Sequence, residues 1–262
     1  MKLRLLVAAF AIAGFVNLSP RASAELVTLN YQGQTTMPGN PTLGVTLNGT
    51  NYTNTSVGPF YWSQNQLPVN GNFPPPVATF CIELAANQPL PSIGSNVVFD
   101  VVSPAAAPTI GNDPLKVAAI SELYGRYFQT AWLDKNTFHG SVESAAFQLA
   151  LWELVYDGAA SKNLATGNFL ATGLGSYTTT AQSMLDSLNG SNAFATNLGG
   201  YELVALLAPA TTDPTKAQDQ VQDQITLRPK AVPAPPALLL AGIGGLALLG
   251  RARLTRRPTA AV

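Results

Sequence analysis

The hydrophobic pattern changes period twice along the chain. Between residues 25 and 72, short alternating apolar runs are separated by Thr, Asn and Gly, which predicts strands at 26–31, 43–47 and 52–56. Phe73 and three prolines interrupt the pattern before two stronger strand signals, 77–84 and 96–102, rich in β-branched and aromatic residues. The period then lengthens. Ile120, Leu123, Tyr124, Tyr127 and Phe128 recur at helical spacing, after a start signal in which Asp113 can cap and Pro114 takes the first helical position. A second helix is predicted from Ser141 to the stop at Asp157-Gly158, and a third over 177–188. Strand-like runs return at 201–207 and 221–227, around a loop at 208–216. Strands, then helices, then strands predict an α+β fold: a β-sheet or sandwich built from both ends of one domain, with an inserted helical segment.

Two residues break the pattern that surrounds them. Gln148 lies on the second helix with Ala145, Leu151, Trp152 and Val155 at −3, +3, +4 and +7, so a carboxamide sits in the apolar stripe while Glu143 and Glu153 fall elsewhere. Burying that carboxamide without partners costs about 1–3 kcal/mol in protein data. Cys81 shares a strand face with Val77, Thr79 and Glu83, opposite the apolar set Ala78, Phe80, Ile82 and Leu84.

Composition sharpens the cysteine. Residues 1–24 have the form of a signal peptide: Lys2 and Arg4, a short apolar run, then Ala22-Ser23-Ala24 as a cleavage site. Exported chains use cysteines in pairs, yet Cys81 is alone. At the other end, 231–262 holds a Pro-rich stretch, an apolar run over 237–249 and a cluster of Arg251, Arg253, Arg256 and Arg257. All fourteen acidic residues lie between Glu25 and Asp223, and seven of the fourteen basic residues lie in the two end segments. The domain over 25–230 therefore carries a net charge of −7, seven basic residues against fourteen acidic, which opposes nucleic acid as a partner. With one His and one Cys there is no usual zinc spacing, no Ser is flanked as a nucleophile elbow, and no cofactor is expected.

The order of motif, apolar helix and Arg cluster in 231–262 resembles the PEP-CTERM sorting signal of Gram-negative bacteria, with Ala234 where that family usually has Glu. The resemblance implies export, processing by an exosortase-type enzyme, a transmembrane helix holding the chain transiently in the inner membrane before processing, and a final place at the cell surface or in an exopolysaccharide matrix.

Phe80-Cys81-Ile82 on a strand and Phe147-Gln148-Leu149-Ala150-Leu151-Trp152 on a helix resemble the two halves of the thioester domain of bacterial surface adhesins, and the intervening segment 118–124 resembles that family's connecting helix. The family often has Thr where this chain has Phe147. The resemblance implies that the Cys81 thiolate attacks the Gln148 side-chain carbonyl, expels ammonia and leaves an internal thioester. An amine or hydroxyl on a protein or polysaccharide would open it and remain attached through Gln148, a one-shot reaction and not turnover. Phe80, Phe147 and Trp152 would shield the bond, and His139 is a candidate helper as a base, against the plainer reading of a solvated loop histidine. A second reading is a non-covalent matrix protein in which Cys81 and Gln148 only pack. A hydrolase is the third and has the least in its favour.

Overall fold

In a computed structural model, the protein is described over residues 25–34, 43–64, 73, 76–84, 90–133, 135, 141–208 and 221–230. Six strands form a closed antiparallel barrel: β1 (Glu25–Gln34), β4 (Phe60–Ser63), β5 (Val77–Cys81), β9 (Gln224–Pro229), β8 (Tyr201–Leu207) and β6 (Asn96–Val102), in that spatial order. A separate three-stranded sheet has the order β3 (Thr50–Thr55), β2 (Leu43–Leu47), β7 (Phe169–Leu170). The helices are α1 (Pro114–Tyr127), α2 (Val142–Ser161), α3 (Ser176–Ser187) and α4 (Ala193–Leu198).

The α+β class agrees with the pattern, and strands from both ends of the domain do share one sheet. The sandwich does not: the sheet closes on itself. Closure depends on β1, which is long enough to pair with β6 along its first half and β4 along its second. A register shift between Tyr31 and Gly33 bends it between the two partners, and Gly33 carries the positive φ of 106°. A regular alternating pattern does not reveal such a bulge.

Pairing sorts the side chains of β5. Residues directly opposite one another share a face, so Phe60 with Thr79, Trp62 with Val77 and Cys81 with Gln224 put Val77, Thr79 and Cys81 inside the barrel. The interior is filled by Val27, Leu29, Tyr31, Trp62 and Phe99, with Trp62 set edge-on to Phe99 at 5.2 Å. The other face of β5 meets the helices, where Phe80 contacts Tyr124 of α1, Phe147 of α2 and Trp132. Both faces of β5 are therefore buried, and the side read from sequence as the more polar one is barrel interior.

The helix starts obey local chemistry. Asp113 caps α1 by accepting from the backbone N–H groups of Leu115 and Lys116. Ser141 and Ser144 form a reciprocal capping box at the start of α2. From Ser144 to Val155 every residue of α2 is buried, so the helix is core on all sides and not amphipathic. Glu153, read from the helical wheel as lying off the apolar stripe, is fully buried as well. Regular φ/ψ fails at Gly158, near the predicted stop, although helical hydrogen bonding resumes to Ser161. Helices α1 and α4 approach so closely that a Cβ on Gly125 would lie 2.3 Å from the backbone nitrogen of Phe194.

Among the described residues, no helix is long and apolar enough to cross a membrane. This corrects the expectations of a transmembrane helix, of the inner membrane as a transient partner and of a membrane-anchored state before processing. The apolar run at 237–249, the signal segment 1–24 and His139 lie outside the described residues.

Candidate functional site at the end of strand β5

The site begins where a ladder runs out. Strand β4 pairs with β5 from Trp62 opposite Val77 to Phe60 opposite Thr79, and then stops. Two residues further along β5, the N–H and C=O of Cys81 point to the same side as those of Thr79 and have no strand to meet. Gln148 takes the vacant place. The Cys81 N–H donates to Gln148 Oε1 at 3.2 Å, and Gln148 Nε2 donates to the Cys81 carbonyl at 2.8 Å. A side-chain carboxamide from α2 thus imitates the next residue of the missing strand. The first of these bonds places the Gln148 carbonyl carbon within about 4.4 Å of the Cys81 nitrogen, for a C=O bond of about 1.2 Å.

The surroundings are dry. Gln148 is 0% exposed and Cys81 1%. The thiol lies 2.7 Å from the Glu83 carbonyl oxygen, to which it donates, and the Glu83 N–H points back at the sulfur from 3.3 Å. Burial pushes the thiol pKa far above its ordinary value. The Glu83 backbone contact opposes that shift, the carboxylates of Glu83 and Asp223 add to it, and the Trp152 side chain draws it down. The Asp223 carboxyl is itself raised to about 6, by burial and then by Glu83, while the Ala208 N–H that it accepts pulls it back. Glu83 and Asp223 are tied together, since the Asp223 N–H donates to Glu83 Oε2 at 3.0 Å.

Helix α2 supplies the rest of the enclosure at intervals of one turn. Trp152 stands four residues after Gln148 and Tyr156 four after that. The Tyr156 hydroxyl accepts the Leu84 N–H at 2.6 Å, which anchors the chain just past the cysteine. Phe169 of β7 packs on both Trp152 and Tyr156, at 6.1 and 6.3 Å between ring centres. The small sheet therefore lies against the same face of α2 as the site.

Of the residues expected from sequence, Cys81, Gln148 and Trp152 come together. Phe80 and Phe147 touch each other at 4.7 Å but lie behind the strand, on the face away from the thiol. They pack α2 against β5. Tyr156, which reads from sequence as a core aromatic, stands one turn beyond Trp152 on α2. Asp223 gives no sequence signal, because it arrives by strand pairing from 142 positions away. No group of three or more His, Cys, Asp or Glu that could hold a metal ion occurs among the described residues. Comparisons of the chain with protein families, with curated proteins and with solved structures return no match.

Proposed function

We propose that the protein forms an internal thioester between Cys81 and Gln148 and uses it to attach itself covalently to an amine or hydroxyl on another molecule. The observation that carries this reading is the double hydrogen bond between the Gln148 carboxamide and the backbone of the chain's single cysteine, in a site without water access. Bond formation requires the sulfur to exchange its contact with Glu83 for the Gln148 carbonyl carbon. The S–H bond and the C–Nε2 bond break, the S–C bond forms, and the thiol proton leaves with the amide nitrogen as ammonia. Enclosure by Trp152 and Tyr156 slows hydrolysis of the product. An incoming nucleophile then attacks the same carbon and releases the thiol. Opposition to attack on nucleic acid follows from the net negative charge of the domain, whereas a cationic amine is attracted.

The second reading, a non-covalent structural protein, is favoured by a specific feature of the same site. Gln148 completes the hydrogen bonding of a strand end, which alone justifies a buried carboxamide. Incubation with methylamine separates the two. The thioester reading expects methylamine to be added at Gln148, located by peptide mass analysis, with one free thiol appearing per adduct. The packing reading expects an unmodified Gln148 and a thiol that is free throughout.

A further inference from the structure

Trp152 is buried to 1% exposure, and its indole Nε1 has no hydrogen-bond partner among the described residues. Leaving such a donor unmatched costs about 1–3 kcal/mol. Trp62, equally buried inside the barrel, gives its Nε1–H to Thr79 Oγ1 at 2.9 Å. The unmatched donor lies near the Cys81 sulfur, on which negative charge develops when the proposed thioester opens. The Trp152 side chain acts on the Cys81 thiol with the sign of a hydrogen-bond donor to sulfur, favouring the thiolate. No regular hydrogen bond joins them while the thiol is neutral and turned to Glu83.

We propose that Trp152 is a catalytic residue of the thioester, its indole N–H stabilising the negative charge that develops on the Cys81 sulfur. The inference rests on the thioester reading and goes beyond it, because it replaces a passive cover with a chemical role. In the opening reaction the amine nitrogen bonds to the Gln148 carbonyl carbon and the C–S bond breaks with its electron pair on sulfur. The indole N–H holds that thiolate until a proton from the attacking amine reaches it, giving an amide and a thiol. Formation of the thioester uses the same interaction in reverse, when the thiol must lose its proton in a site that otherwise disfavours the anion. A donor fixed in a dry site before the charge appears is the arrangement that lowers a barrier, since nothing has to reorient.

A shield and a donor predict opposite effects of one substitution. Trp152→Phe retains most of the apolar cover and removes the N–H. The rate of methylamine addition is measured by intact mass on wild type and variant, each first checked for an ammonia deficit. The donor role expects the variant's thioester to open more slowly, by about tenfold or more. A variant that opens as fast as wild type, or faster because its cover is thinner, overturns the donor role and leaves the thioester reading standing. A wild type without the deficit overturns both. If Trp152→Phe does not fold, the benzothienyl analogue of tryptophan placed at position 152 keeps the ring shape without the N–H, and the same slow opening is expected of it.

Discussion

The barrel wall and helix α2 both bury polar groups, and they treat them differently. In the wall, Trp62 donates to Thr79, Thr79 to Gln224 at 3.0 Å, and Gln224 to the Gln222 carbonyl, while Thr226 donates to the carbonyl of Ala78. Along α2 the matching is incomplete. Gln148 is satisfied by Cys81, but Trp152 Nε1 and Glu153 Oε2 have no partner among the described residues. Two fully buried glutamines therefore stand on either side of strand β5's end. Gln224 faces a threonine hydroxyl, and Gln148 is held against a cysteine. A carboxamide beside a hydroxyl inside a finished network is structure. A carboxamide clamped to the residue that carries the only thiol, beside an unmatched donor, is the arrangement on which the proposed thioester rests.

Substitutions that break this comparison rank by size. Gln148→Ala leaves both backbone groups of Cys81 unpaired and opens a cavity, so it is expected to cost about 3–5 kcal/mol in denaturant unfolding. Thr79→Val strands Trp62 Nε1 and a Gln224 oxygen in the wall and is expected to cost about 2–4 kcal/mol. Only the first should alter methylamine reactivity. Loss of reactivity in a folded Thr79→Val protein would show that wall and site are one unit and would remove the contrast.

The carboxylates of the two long helices sharpen it. Glu122 of α1 is buried but accepts from the backbone of Asn189 and Gly190, from Ser191 and from Arg126. Burial alone would raise its pKa; those contacts outweigh it and bring the value down to about 2. A depressed folded-state pKa means stabilisation that is complete above the unfolded value near 4.5 and is lost as pH falls toward 2. Glu122→Gln should thus cost about 2–3 kcal/mol at pH 7 and progressively less as the pH is lowered through that window. Glu153 behaves oppositely. Burial raises it to about 7, the Asn163 N–H pulls it back, and Asp157 raises it further. The folded state then holds the proton more tightly, and stability declines as pH rises from about 4.5 through 7. Glu153→Gln is expected to be close to neutral at pH 4 and to stabilise by about 1–3 kcal/mol at pH 8, read from urea midpoints. A loss of stability at pH 8 would mean that the unmatched oxygen on α2 is doing structural work.

How much of this was legible in the sequence depends on the range of the interaction. Caps are local, and Asp113 and Ser141 were readable residue by residue. The segments 43–47, 96–102 and 201–207 form strands with those bounds, the first two with alternating burial and the third with four consecutive buried residues. Strand β4 leaves no alternating signal, because Phe60-Tyr61-Trp62 is apolar on both faces. The pattern extends the strand to residue 84, whereas β5 ends at Cys81, since nothing in 82–84 announces that its neighbour has ended. That termination is what exposes the backbone of Cys81 to Gln148, so the pair was visible as two misplaced residues while the reason for their meeting was not. Closure of the sheet and the arrival of Asp223 depend on strand pairing across most of the domain, which no short-range pattern encodes.

The central claim is that Cys81 and Gln148 are covalently joined in the folded protein. The intact mass of the purified wild type under denaturing, non-nucleophilic conditions tests it most directly, with Cys81→Ala and Gln148→Ala alongside. The account predicts a wild type lighter than its sequence by one ammonia and unreactive toward thiol alkylation, with both variants at full mass. A wild type at full sequence mass carrying a thiol that alkylates on unfolding would contradict it, and would leave Gln148 as the closing hydrogen-bond partner of a strand end.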